Sequence, residues 1–202
     1  MTRVRYVLLA VAIVASTAAP ARAQWALTPY LGANVAGDAE FRRGGPGVSL
    51  AYPGRRLGFE FDLQRYQHFF KDSEIVPLDP AAPPNCRPGV RGACTDINTD
   101  AIGFMGNAVV PLRIRGASKW SPYGSVGAGL IRAWTNEAGR HQNDFAWNVG
   151  GGTTFLVSRR VALRGDVRYF RALVDEHKTT AVLPRDYDFV RVAFGVTIGL
   201  SR

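Results

Sequence analysis

From about residue 25 onward, apolar and polar residues alternate one for one over long stretches. In Leu57-Gly-Phe-Glu-Phe-Asp-Leu-Gln64, Leu57, Phe59, Phe61 and Leu63 fall on one side, and Gly58, Glu60, Asp62 and Gln64 on the other. Residues 161–170 repeat the pattern, setting Val161, Leu163 and Val167 against Arg164, Asp166 and Arg168. The last such stretch sets Val190, Val192, Phe194, Val196, Ile198 and Leu200 against Arg191, Ala193, Gly195, Thr197 and Gly199. A period of two is that of a β-strand whose faces meet different surroundings; on a helix these residues would scatter round the cylinder. Eight segments carry the pattern: 25–35, 46–53, 57–69, 99–112, 120–135, 145–157, 161–170 and 188–200. Each is close to the roughly 9–11 residues with which a tilted strand crosses a bilayer.

The connections sort by length. Residues 53–56, 113–119 and 158–160 are short links, whereas 36–45, 70–98, 136–144 and 171–187 are longer, in strict alternation. All short links therefore gather at one end of an up-and-down sheet, as the periplasmic turns do in outer-membrane barrels, with the longer loops outside the cell. The expected fold is all-β: an eight-stranded antiparallel up-and-down transmembrane β-barrel.

Ionisable residues recur in mid-strand, which requires a polar lumen and an apolar, lipid-facing exterior. The inward set reads Tyr30, Asn34, Ser49, Glu60, Asp62, Gln64, Asn107, Asn148, Thr154, Arg164, Asp166, Arg168, Arg191 and Thr197. An eight-stranded interior is only wide enough for side chains to fill it. Isolated charges there are costly. Glu60, Asp62, Arg164, Asp166, Arg168 and Arg191 are accordingly expected to form an ion-pair network that plugs the lumen. Aromatic residues collect at strand ends: Tyr52 and Trp120 near the short links, and Phe69, Phe70, Trp134, Phe145, Trp147, Tyr169, Phe170 and Phe189 near the long ones. They are expected to form two interfacial girdles.

The remaining features refine this picture. Residues 1–23 hold Arg3 and Arg5, an apolar run from Val7 to Ala15, and a small-residue ending Ala21-Arg22-Ala23. The run is too short for a membrane helix and reads as a secretory signal cut before Gln24, leaving residues 24–202 as one barrel domain. The chain carries 25 basic and 16 acidic residues. Removing the leader takes away three of the basic ones and leaves a net charge of about +6. An exported protein meets little nucleic acid, and the charges form no single stripe, so a nucleic-acid partner is not expected. Export also places Cys86 and Cys94 in an oxidising compartment; with Pro88, Gly89 and Gly92 between them they are expected to pair as a disulfide at a loop tip. The short links collect Arg55, Arg56, Arg113, Arg115, Lys119, Arg159 and Arg160 without an acid. They suit anionic phospholipid headgroups, or equally well serve only as soluble turns.

Residues 148–169 run as a glycine-rich strand, a tight turn and a strand of form apolar-Arg-Gly-acid-apolar-Arg-aromatic. This hairpin, with the closing segment 189–200, resembles small outer-membrane barrels of the OmpA/OmpX-like superfamily. The resemblance implies an integral outer-membrane location, a monomer, insertion by the barrel assembly machinery, and contact with outer-membrane lipid. The loops, which mix both charge signs, could also touch lipopolysaccharide or an unidentified surface partner.

Chemistry is thin. His68, His141 and His177 have no partner at metal-ligand spacing, and no His-x-Ser arrangement suits a lipid hydrolase. The glycine clusters at 124–129 and 150–152 lack the following helix of a phosphate loop. No cofactor, metal or catalytic residue is expected. The reading is a non-enzymatic barrel with a structural or surface-interaction role. Two alternatives stand beside it: an outer-membrane lipid-modifying enzyme, and a soluble periplasmic barrel that binds an apolar ligand.

Overall fold

The computed structural model describes residues 25–39, 43–70, 99–112, 119–135, 141–174 and 186–200. They form eight strands: β1 (Ala26–Gly37), β2 (Gly44–Tyr52), β3 (Gly58–Tyr66), β4 (Thr99–Pro111), β5 (Trp120–Thr135), β6 (His141–Leu156), β7 (Val161–Leu173) and β8 (Tyr187–Gly199). Every strand pairs antiparallel with its sequence neighbours, and β1 pairs with β8, so the sheet closes into a barrel without an edge. Closure satisfies the backbone groups that a lipid environment cannot.

The alternation puts apolar residues outside. Phe59, Phe61 and Phe194 are 46%, 50% and 69% exposed, while Glu60 and Arg191 are each 1% exposed. A soluble barrel with an apolar ligand cavity would show the reverse. Strand ends differ from the sequence reading. β3 stops at Tyr66 rather than 69, because His68 takes a positive φ of 50° and turns the chain over the rim. β6 starts four residues earlier, at His141, and β7 runs on to Leu173. On β1 a register shift between Asn34 and Ala36 precedes Gly37, whose φ of 99° suits glycine. The turn after β6 is held by Val157 and Ser158, whose amides both donate to Val161 O at 2.9 Å.

Candidate functional site: a layered lumen

The lumen holds three layers. In the middle sit three carboxylates, Glu60, Asp62 and Asp166, and three guanidinium groups, Arg164, Arg168 and Arg191, so formal charge balances within the cluster. The alternation aims each inward: β3 contributes Glu60 and Asp62, β7 contributes Arg164, Asp166 and Arg168, and β8 contributes Arg191.

Glu60 is shared. Arg164 Nη2 approaches Glu60 Oε2 at 2.5 Å, and Arg168 Nη2 donates to Glu60 Oε1 at 2.6 Å. Arg164 and Arg168 each also lie 3.3 Å from Asp166 Oδ2. Arg191 grips Asp62 through both nitrogens, at 3.1 and 3.2 Å, the two-point match that a guanidinium offers a carboxylate. Arg191 also donates to Gln64 Oε1 at 2.7 Å and lies against the rings of Tyr30 and Phe170. Two tyrosines extend the network. Tyr30 Oη donates to Asp62 at 2.8 Å, and Tyr123 Oη accepts from Arg164 Nε at 2.6 Å while donating to Asp166 at 3.1 Å. Sequence reasoning named Tyr30 only as inward-facing and missed Tyr123. The signal for Tyr123 was available, since it shares parity with the inward Ser125 and Gly127 on β5.

Beside the ionic layer, Asn148 Nδ2 donates to Asn107 Oδ1 at 2.8 Å. Asn107 Nδ2, Asn148 Oδ1, Ser125 Oγ and Arg168 Nε are buried without a hydrogen-bond partner among the described residues. Such groups ordinarily bind water.

Towards the long loops the lumen changes character. Tyr66, Phe69, Phe70, Phe170, Tyr187 and Phe189 pack edge-to-face or stacked, with centroids 4.7–5.9 Å apart. Met105, Ile131 and several alanines complete an apolar cluster. This corrects the girdle expectation for Phe69, Phe70, Phe170 and Phe189, which are at most 1% exposed and lie inside. Phe170 and Phe189 share parity with Arg168 and Arg191, so the strand that turns the charges inward also turns them inward. Trp134, Phe145, Trp147 and Tyr169 do lie on the outer surface, the last two in contact at 5.7 Å. At the edge of this cluster, buried Asp144 accepts from Gln142 Nε2 at 2.8 Å and from Tyr187 Oη at 3.2 Å.

Towards the short turns the lumen opens into a cavity of about 280 Å³, walled by small residues such as Ala26, Ala51, Val109 and Ala162, with Glu60, Tyr123 and Arg164 among the lining groups. Around its mouth Arg55, Arg56, Lys119, Arg159 and Arg160 are exposed. Arg113 and Arg115 of the same basic set lie outside the described residues, as do Cys86, Cys94, His177 and the leader. His68 sits in the turn after β3 and His141 opens β6, so neither approaches the ionic layer.

The sequence profile of the outer membrane protein beta-barrel domain matches residues 7–198. The chain belongs to this family. Membership assigns it to the bacterial outer membrane and agrees with the closed eight-stranded barrel. Among solved structures, the barrel is similar to Neisserial surface protein A at a TM-score of 0.55 and 18% identity, covering 88% of this chain and 95% of that one. It is also similar to outer membrane protein W of E. coli, at a TM-score of 0.52 and 12% identity, covering 88% and 98%. At such identities these likenesses speak to the fold of this outer-membrane family member alone. Among curated proteins none matches the chain significantly.

Proposed function

We propose that this outer-membrane barrel is a non-enzymatic scaffold whose lumen passes no solute and whose long loops engage partners at the cell surface. The lumen supports the reading: a charge-balanced set of ion pairs spans its middle, and a cluster of buried aromatic rings packs at the end toward the long loops. A rigid wall of this kind suits presentation of long loops, where binding residues concentrate in scaffolded folds. The reading includes export by the leader with cleavage after Ala23, and a Cys86–Cys94 clip in the longest loop.

Two measurements test it. Purified protein in planar bilayers should show no steady conductance; an ohmic pore rejects the closed lumen. Protease added to intact cells should cut the long connections and spare the short turns; the reverse pattern rejects the surface role.

A further inference from the structure

We propose that the outer wall of β3–β6 binds the phosphorylated head of a lipid A-type glycolipid, with Arg65 and Arg132 on the phosphate. The residues come together by register. Arg65 stands beside Ile102, Ile102 beside Arg132, and Arg132 beside Asn143, so one row crosses four adjacent strands. All four face outward and are exposed. At about 4.8 Å per strand, the two arginine Cα atoms stand roughly 10 Å apart, so both guanidinium groups can reach a single phosphate between them.

The row below is apolar: Leu63, Phe104, Leu130 and Phe145 stand side by side, 44–54% exposed. Below that, the small residues Gly106 and Ala128 lie between Phe61 and Trp147, so the wall is lowest there. A cationic row above an apolar wall matches an anionic amphiphile standing upright in the leaflet.

Arg132 is placed to take an anion. It projects from a lipid-facing strand position three residues inside the end of β5, from which its guanidinium reaches the interface where lipid headgroups lie. Among the described residues no carboxylate makes an ion pair with it. The acid of the patch, Asp100, is held by Arg65 at 2.9 Å, and Arg65 is 52% exposed with donors to spare. The site lies at the long-loop end, so its lipid is that of the outer leaflet. The inference takes from the proposed function only which end faces out.

The test is native mass spectrometry of the full mature chain released from micelles. The probes are diphosphoryl lipid A, the same lipid with both phosphates removed, and phosphatidylglycerol. Wild type should retain diphosphoryl lipid A above the other two. Arg132→Gln should lower retention about fivefold, and Arg65→Gln/Arg132→Gln further, to the level of the dephosphorylated lipid. Arg159→Gln, exposed in the turn after β6 at the opposite end of the barrel, should leave retention unchanged. Heat-modified gel mobility identifies folded protein for every comparison. Undiminished retention by the folded double variant overturns the site, as does equal retention of phosphatidylglycerol. If surface proteolysis still cuts the long loops, that failure belongs to this site and not to the proposed function.

Discussion

Replacing Arg168 with methionine tests whether the lumen is a charge-balanced cross-link. The side chain is fully buried and holds Glu60 at 2.6 Å and Asp166 at 3.3 Å, with Asp62 at 3.8 Å. Methionine fills similar space and leaves three carboxylates facing two guanidinium groups. Removing one partner of a buried ion pair costs about 3–5 kcal/mol. Glu60→Gln leaves the opposite imbalance and should cost a similar amount. The double variant Glu60→Gln/Arg168→Met restores two against two: Arg191 keeps Asp62 at 3.1 Å and Arg164 keeps Asp166 at 3.3 Å. It should therefore unfold closer to wild type than either single variant does. Urea unfolding in lipid vesicles, followed by fluorescence of the four tryptophans, gives each free energy by linear extrapolation. An unchanged midpoint for Arg168→Met refutes the argument, as does a double variant whose loss equals the sum of the singles.

Other changes probe other layers. Phe194→Arg, on the most exposed phenylalanine of the wall, should cost about 2–4 kcal/mol of folding free energy in vesicles if it lies near the bilayer midplane. Gly47→Ala would bring a Cβ within 2.5 Å of Tyr30 Oη, pushing the ring off Asp62 and Arg191 and costing roughly 1–3 kcal/mol by the same unfolding assay. A maleimide reagent should label Cys86 and Cys94 only after reduction; labelling of both without reductant rejects the clip.

Strand number and strand faces were legible because a membrane barrel turns burial into a period-two code along every strand. The strict alternation of link lengths does not hold: β6 begins at His141, so β5 and β6 are joined by residues 136–140, fewer than the residues 112–119 that join β4 to β5, and only the links 67–98 and 174–186 are long. The period-two code also placed Glu60, Asp62, Arg164, Asp166, Arg168 and Arg191 on one surface. It did not say which acid meets which base, because those contacts cross the barrel and depend on how the strands stagger on closure. The buried aromatic cluster differs from the girdle expectation in two ways. Phe170 and Phe189 carry the inward parity of Arg168 and Arg191, and that parity, not their nearness to a strand end, sets their direction. For Phe69 and Phe70 no such signal existed: the alternation ends at Tyr66, and the backbone reversal at His68 directs the two rings. The row joining Arg65 to Arg132 was likewise hidden, since register between strands is not written in either strand alone.

The distance along the chain between Glu60 and Arg168, 108 residues, bears on how the protein is made. An open sheet would keep Glu60 and Asp62 on β3 apart from the arginines of β7 and β8 that hold them, leaving Arg164 and Arg168 with Asp166 of their own strand alone. The last seam, β1 against β8, brings Tyr30 and Arg191 together at 3.0 Å. Closing that seam and bringing the carboxylates of β3 to the arginines of β7 and β8 therefore go together.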